Sequence, residues 1–204
     1  GTWYLQRSTE GFTAFQFGID GDIPAAADYD GDGKADVAVF RPSTGVWYVL
    51  KSTGGTMIVQ FGQTGDVPIR GDFDGDGITD LSVFRSGEWW ILRSSGGVVV
   101  ENFGTTGDIV VAGDFDGDGK TDPAVFRPSD GIWYILRSSD RGVTYKQFGL
   151  AGDIPSPGDY DGDGKTDAAV YRDGIWFVER STGGVLITSF GVSGDRPVPA
   201  FAAL

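Results

Sequence analysis

The chain has 204 residues, with 29 Asp and Glu against 16 Lys and Arg, which gives a formal net charge of −13. His and Cys are absent, which excludes Ser-His and Cys-His nucleophilic pairs, zinc sites built from these residues, and disulfides. The acidic balance disfavours nucleic acid and anionic bilayers as partners and favours hard cations. Neither a signal peptide nor a run of about 18 apolar residues is expected in this sequence.

The sequence is an internal repeat. Phe-Gly pairs begin at residues 17, 61, 103, 148 and 190, and every Trp lies in a Trp-aromatic pair shortly before one of them. The predicted units are a half blade at residues 1–18, full units at 19–62, 63–104, 105–149 and 150–191, and a closing or docking tail at 192–204.

Each full unit predicts four short strands. In the first unit they are Ile23 to Ala27, Val37 to Phe40, Val46 to Leu50 and Met57 to Phe61, separated by turns rich in Gly, Ser and Asp. The 34 glycines disfavour long helices, so the fold class is all-β. We expect a β-propeller of about five four-stranded blades, four complete and one shared by the N- and C-termini. An open β-solenoid is the alternative.

An Asp-rich string follows the first strand of each full unit. In the first unit it reads DYDGDGKAD at residues 28–36, with carboxylates at positions 1, 3, 5 and 9 and glycine at position 6. This pattern is typical of a calcium loop, to which position 7 would add a backbone carbonyl. The predicted metal ligands are Asp28, Asp30, Asp32, Lys34 and Asp36; Asp72, Asp74, Asp76, Ile78 and Asp80; Asp114, Asp116, Asp118, Lys120 and Asp122; and Asp159, Asp161, Asp163, Lys165 and Asp167.

Turn formation alone does not account for these strings. They hold 16 of the 29 acidic residues, and two unit charges 4 Å apart repel by about 1 kcal/mol in water and about 4 kcal/mol at an effective dielectric of 20. We therefore expect about four Ca²⁺ per chain. Mg²⁺ is less favoured because it resists dehydration and prefers a small octahedral cage.

The combination of Phe-Gly, Gly-Asp, the Asp string and the Val-Ala-Val-Phe-Arg that follows it resembles the FG-GAP and VCBS repeats of bacterial secreted proteins, which are related to the integrin α propeller. The resemblance covers the whole chain. It implies a propeller with calcium between the first and second strands of each blade, an extracellular location, and a role in adhesion, matrix or ligand binding.

Two further repeated features are expected to be structural. Arg41, Arg85, Arg127 and Arg172 follow the second strands and should pair with a nearby repeat Asp. The aromatic pairs should pack between blades, and Tyr4, Tyr48, Trp90, Tyr134 and Phe177 are the members expected to be more exposed.

These features favour a non-enzymatic extracellular calcium-binding module with a structural or adhesion role and no catalytic residue. A calcium-dependent lectin for cell-surface glycans is the alternative, and a polysaccharide-active enzyme is less favoured because no acidic pair breaks the repeat.

The half blade at residues 1–18 and an apolar strand from Pro197 to Ala202 could close a ring within one chain. They could also join successive chains into an oligomer or filament.

Overall fold

The computed structural model describes residues 1–197, and in these residues the fold is all-β. The strands are β1 (Thr2–Arg7), β2 (Gly11–Gln16), β3 (Ile23–Pro24), β4 (Val37–Arg41), β5 (Val46–Leu50), β6 (Thr56–Gln60), β7 (Val67–Gly71), β8 (Asp80–Arg85), β9 (Glu88–Leu92), β10 (Val98–Asn102), β11 (Ile109–Gly113), β12 (Asp122–Arg127), β13 (Ile132–Leu136), β14 (Val143–Gln147), β15 (Ile154–Pro155), β16 (Ala168–Arg172), β17 (Ile175–Glu179) and β18 (Val185–Ser189). None of the described residues forms a helix long and apolar enough to cross a bilayer.

The strands form antiparallel sheets in chain order, one per repeat unit. Blade 1 is β3–β6, blade 2 is β7–β10, blade 3 is β11–β14 and blade 4 is β15–β18, while β1 and β2 form a two-stranded half-blade. The second strand of each blade is buried on both faces, as its continuous apolar sequence predicts; Val37, Ala38, Val39 and Phe40 are all buried in β4. The predicted all-β fold with four-stranded blades is confirmed.

Blades 1 to 3 each pack against the following blade through one Trp. Trp47 of blade 1 is fully buried and belongs to one apolar cluster with Leu81 and Val83 of blade 2. Trp89 and Trp133 are fully buried in the two equivalent clusters that follow. Burying an aromatic ring of this size contributes roughly 4–6 kcal/mol of transfer free energy, so these residues are principal contacts between blades.

The first strands of the blades lie innermost. The first strands of blades 2 and 3, β7 and β11, are in direct contact. A cavity of about 230 Å³ lies beside the ends of these strands and is lined by residues of all four complete blades. This radial order is that of a β-propeller. Within residues 1–197 no strand pairing joins blade 4 to the half-blade.

The first strand of the first unit differs from its prediction. The continuous strand expected from Ile23 to Ala27 is reduced to Ile23–Pro24, followed by a backbone hydrogen bond from Ala25 to Ala38 and an isolated bridge between Ala27 and Asp36. The ladder is interrupted at Ala26, whose carbonyl accepts a hydrogen bond from Arg70 Nη1 of blade 2 at 2.8 Å. The predicted C-terminal strand, Pro197 to Ala202, lies outside the described residues after its first member.

Candidate metal centres

Each Asp string forms a loop between the first and second strands of its blade. The first residue of each loop lines the cavity beside the ends of the first strands. These are Asp loops 1 to 4, at residues 28–36, 72–80, 114–122 and 159–167. Positions 4 and 6 need glycine: in Asp loop 1, Gly31 and Gly33 have φ of 76° and 79°, values that disfavour other residues. The two left-handed glycines reverse the chain twice within nine residues, so the loop closes on its first Asp.

The position-1 Asp organises the loop by accepting backbone hydrogen bonds. Gly31 N–H donates to Asp28 Oδ1 and Gly33 N–H donates to Asp28 Oδ2, both at 2.7 Å. The equivalent pairs of bonds occur at Asp72, Asp114 and Asp159, at 2.6–2.9 Å. One carboxylate per loop therefore sets the curvature that brings the others near it.

The position-9 Asp fastens the loop to the rest of its blade. Asp80 is fully buried, and its two oxygens accept backbone hydrogen bonds from Phe73 at 2.8 Å and Ser94 at 2.7 Å. The same two bonds occur at Asp36, Asp122 and Asp167. The hydrogen bonds lower the pKa of these carboxyls, but burial outweighs them. Burial raises the pKa of Asp80 and of Asp122 to about 6, and it raises the pKa of Asp36 and Asp167 as well.

A pair of hydroxyl residues in the turn between the third and fourth strands completes each loop. In blade 1, Ser52 Oγ donates to Asp32 Oδ2 at 2.6 Å and Thr53 Oγ1 donates to Asp30 Oδ2. Their counterparts are Ser94-Ser95, Ser138-Ser139 and Ser181-Thr182, each with at least one hydroxyl bonded to a loop carboxylate. Sequence reasoning missed these residues, although the signal was present: a Ser/Thr pair follows a Lys or Arg at the repeat period in every unit, including Arg7-Ser8-Thr9.

Three carboxylates converge in each loop. Their oxygens lie within 4.8 Å of one another, in sets at positions 1, 3 and 9 of Asp loops 2 to 4 and at positions 1, 3 and 5 of Asp loop 1. Oxygens bound to one Ca²⁺ at about 2.3–2.6 Å are at most roughly 5 Å apart, so these sets have the size of a metal site. The sets are Asp28, Asp30 and Asp32; Asp72, Asp74 and Asp80; Asp114, Asp116 and Asp122; and Asp159, Asp161 and Asp167.

The position-3 carboxylates supply the clearest indication of a cation. Asp30 Oδ1, Asp74 Oδ1 and Asp161 Oδ1 are buried atoms with no hydrogen-bond donor. A buried carboxylate oxygen without a donor is costly unless a positive charge compensates it. The donor set and these unsatisfied atoms therefore fit a hard divalent ion, so these Asp clusters could hold metal ions.

The remaining predicted ligands have other contacts. The position-5 residues Asp76, Asp118 and Asp163 lie outside the convergent sets; their Oδ1 atoms accept the N–H of position 7 at 2.9 Å. Asp36 lies outside the set of Asp loop 1. Ligation by the position-7 carbonyls of Lys34, Ile78, Lys120 and Lys165 stays a prediction.

Successive loops are joined across the blade interfaces. The position-1 carbonyl of Asp28 accepts a hydrogen bond from Thr79 N–H of the next loop at 2.8 Å. Thr121 and Thr166 make the same bond to the carbonyls of Asp72 and Asp114, at 2.6 Å. Each complete interface therefore contains a direct backbone connection between candidate metal sites.

The repeated arginines are structural, as predicted. Arg85 binds Asp66 through Nε and Nη2, at 2.7 and 2.8 Å, and lies 5.3 Å from the ring centroid of Trp90. Arg41, Arg127 and Arg172 pair in the same way with Asp22, Asp108 and Asp153. These three cover the rings of Tyr48, Tyr134 and Phe177. Tyr4 has no cation over its ring among the described residues and is 70% exposed.

Solved structures with a similar fold include bacterial lyases. A streptogramin B lyase superposes with a TM-score of 0.61 and 10% identity, over 95% of this chain and 63% of that chain. A catalytically inactive virginiamycin B lyase from Staphylococcus aureus with quinupristin gives 0.61 and 9%, over 93% and 64%. The chain thus spans less than two thirds of the length of these lyases, and at this identity the likeness shows the fold alone.

Family models match the repeats themselves. Residues 21–56 match the FG-GAP repeat and contain Asp loop 1, while residues 72–125 match the FG-GAP-like repeat and contain Asp loops 2 and 3. No curated protein sequence matches the chain significantly. The matched segments include the same loops whose carboxylates converge in the structure, and they show that the chain contains FG-GAP repeats.

Proposed function

We propose that this chain is a calcium-binding β-propeller module with a structural or adhesion role outside the cell and no catalytic activity. The observation that carries the proposal is the trio of buried position-3 oxygens, on Asp30, Asp74 and Asp161, that have no hydrogen-bond donor. Each lies in a cluster of three carboxylates of the size that a bound ion requires.

The chemistry of the sites favours Ca²⁺ over other metals. All ligands are oxygens, and the backbone hydrogen bonds that hold the carboxylates leave further lone pairs open. Asp loop 3 illustrates this arrangement: Asp114 and Asp122 are oriented by backbone N–H groups, while Ser139 Oγ holds Asp116 at 2.6 Å. A loop of this kind adapts to the flexible coordination of Ca²⁺ by six to eight oxygens, whereas Mg²⁺ requires near-ideal octahedral geometry and is reluctant to lose its water ligands.

Charge balance supports occupancy of all four loops. Four Ca²⁺ would change the formal net charge from −13 to −5. Only the folded chain brings the carboxylates together, so binding stabilises folding by about 2.7 kcal/mol per site when calcium is at a hundred times its dissociation constant. We expect dissociation constants of about 0.1–1 mM, the range of extracellular modules.

The repeated geometry favours a non-enzymatic role. The carboxylates at positions 1 and 9 have equivalent backbone partners in every blade, which suits four similar metal sites better than one catalytic centre. The lectin alternative receives less support, because an arginine covers Tyr48, Trp90, Tyr134 and Phe177, the rings that would otherwise stack on sugars. An extracellular location rests on the FG-GAP repeats and on the calcium affinity proposed here.

Calcium titration of the full chain tests the proposal. Isothermal titration calorimetry and native mass spectrometry should give four ions per chain, and EGTA should lower the melting temperature. Asp116→Asn should leave three ions, because it weakens Asp loop 3 alone. Asp20→Asn is the matched control, since it removes the same charge from an exposed residue outside every loop and should leave four. An unchanged melting temperature in EGTA, or full replacement by equimolar Mg²⁺, would contradict the calcium proposal.

A further inference from the structure

We propose that the side chain at position 7 of an Asp loop sets the calcium affinity of the preceding loop, across the interface between two blades, and that a lysine at this position lowers that affinity. The side chains concerned are Ile78 against Asp loop 1, Lys120 against Asp loop 2 and Lys165 against Asp loop 3. The inference rests on the proposed calcium binding. It gives these side chains a role that their own loops do not use, because a position-7 residue would offer its own loop only a backbone carbonyl.

A backbone hydrogen bond between successive loops places position 7 at the interface. Thr166, at position 8 of Asp loop 4, donates its N–H to the carbonyl of Asp114, the first residue of Asp loop 3, at 2.6 Å. Lys165 directly precedes Thr166, so its side chain leaves the backbone where the two loops meet. The corresponding bonds at the two earlier interfaces anchor the other two position-7 residues in the same way.

The position-7 side chains lie against the position-4 glycines of the preceding loops. A Cβ on Gly117 would lie 2.7 Å from Lys165 Cε and 3.1 Å from its Cγ, closer than Cβ atoms normally approach another atom. At the other two glycines the nearest approach is 3.0 and 3.1 Å. The lack of a side chain at position 4 therefore leaves room for the neighbouring side chain to cross the loop. The three pairs are Lys165 with Gly117, Lys120 with Gly75, and Ile78 with Gly31.

Lys165 also contacts a residue of the candidate metal site. Its Nζ donates to the backbone carbonyl of Asp116 at 3.0 Å. Asp116 is the position-3 member of the carboxylate cluster that it forms with Asp114 and Asp122 in Asp loop 3. The ammonium thus lies beside the candidate site of one loop, while the backbone of Lys165 belongs to the next.

The charge at position 7 determines the direction of the effect. Lys120 and Lys165 carry a positive charge, whereas Ile78 is neutral. An ammonium repels a divalent ion bound nearby, and in the calcium-free loop it compensates part of the carboxylate charge that attracts the ion. Both effects lower the affinity of the preceding loop, so replacement of the lysine by a neutral residue should raise it.

A purely structural role of Lys165 predicts the opposite result. In that case, loss of its hydrogen bond to Asp116 would loosen Asp loop 3 and weaken calcium binding. The direction of the change in affinity therefore separates an effect of charge from an effect of loop order.

Site-resolved calcium titration of the full chain by ¹⁵N–¹H NMR tests the inference. The position-6 glycine of each loop reports on its own loop, since its N–H donates to the position-1 carboxylate; Gly119 donates to Asp114 at 2.8 Å. Lys165→Met should lower the dissociation constant of Asp loop 3 about threefold to tenfold at low ionic strength. The dissociation constant of Asp loop 4, to which Lys165 belongs, should not change. Lys165→Arg keeps the charge and should bind calcium as the unsubstituted chain does.

A reciprocal variant and a charge-matched control complete the experiment. Ile78→Lys adds a positive charge against Asp loop 1 and should raise the dissociation constant of that loop by a similar factor. Lys146→Met removes the same charge as Lys165→Met, but from a residue of β14 outside every Asp loop, and should change none of the four constants. High salt should reduce the effects of Lys165→Met and Ile78→Lys, because mobile ions screen the charge.

Three results would overturn the inference: an unchanged or higher dissociation constant of Asp loop 3 in Lys165→Met, a change of similar size at Asp loop 4, or the same effect from Lys165→Arg. The glycine signals also show whether each variant is folded. The same titrations separate this inference from the calcium proposal. Four glycine signals that respond to calcium without the expected change in affinity refute the role of position 7 alone, whereas four signals that do not respond to calcium refute the calcium module.

Discussion

Blades 2 and 4 have the same internal hydrogen bonds but differ in burial. In both, the Trp of the third strand donates to the Phe carbonyl after the fourth strand, at 2.9 Å for Trp89 and 3.0 Å for Trp176. The position-9 residues Asp80 and Asp167 are equally buried. Yet Trp89 is fully buried and Trp176 is not, and Phe190, after the fourth strand of blade 4, is 78% exposed.

The difference is due to the neighbouring blade. Trp89 lies in a cluster with Val125 from the second strand of blade 3, and no described blade covers Trp176 in this way. Hydrogen bonds within a blade are therefore properties of one repeat unit, whereas the burial of its Trp requires the next unit. This is the energetic pattern of a repeat protein, in which unit and interface terms add separately.

The largest expected effect is that of the interface Trp. Trp89→Ala should lower the free energy of unfolding by about 3–5 kcal/mol, because it leaves a cavity between blades 2 and 3. Trp176→Ala should cost clearly less, because its ring is already partly hydrated. Urea denaturation of both variants in saturating calcium measures the two losses. Equal losses would show that something covers blade 4 in solution.

Removal of the position-9 carboxylate should have nearly the same effect in either blade. Asp80→Ala and Asp167→Ala each leave two backbone N–H groups without an acceptor. The expected loss is about 2–6 kcal/mol in EGTA, from about 1–3 kcal/mol for each of the two unsatisfied groups. Denaturation in EGTA measures the loss of these hydrogen bonds without a contribution from metal binding. A much smaller loss for Asp167→Ala would mean that the loops also depend on the following blade.

The pH dependence of calcium-free stability should reflect the same buried carboxyls. Asp80 and Asp122 have a pKa of about 6 in the folded chain against an ordinary value of 3.8, with burial as the main cause. Between these values the folded state holds more protons than the unfolded state, so stability falls as pH rises from about 4 to 6. We expect the calcium-free chain to gain about 1–3 kcal/mol per carboxyl between pH 7 and pH 4.5. Calcium binding should weaken over the same range, because protons compete with the ion.

Denaturation in EGTA across this range measures the stability, and NMR of the Asp side-chain carboxyl carbons assigns the titrating groups. Stability that rises steadily from pH 4.5 to 7 without calcium would contradict the raised pKa values.

The smallest expected effect concerns solvent-accessible, mostly half-buried ion pairs between blades. Arg141 of blade 3 binds Glu101 of blade 2 at 2.5 Å, and Lys146 of blade 3 binds Glu179 of blade 4 at 3.4 Å. Ion pairs that remain accessible to solvent contribute less than about 1 kcal/mol. Arg141→Ala and Lys146→Ala should each shift the urea midpoint only slightly, and the shift should shrink further in high salt. A loss comparable to that of Trp89→Ala would show that charge, and not apolar burial, holds the blades together.

The sequence by itself determined most of what one repeat unit encodes. The period of the Phe-Gly and Trp pairs, the blade of four strands, the Asp loops and the Arg–Asp pairs were all predicted from residues within one unit. Their physical basis is local, since left-handed glycines, short β-branched strands and charges about twenty residues apart act within one antiparallel sheet.

Only the tertiary structure decided which carboxylates meet and which surfaces remain uncovered. In Asp loops 2 to 4 the carboxylates at positions 1, 3 and 9 converge, and in blade 2 the carboxylate at position 5 accepts a hydrogen bond from Ser94. This arrangement depends on how the third and fourth strands place their connecting turn over the loop. The full burial of Trp89 and the partial exposure of Trp176 depend on whether a neighbouring blade is present. The difference in Trp burial is decided by packing between units, which the similar repeat sequences do not distinguish.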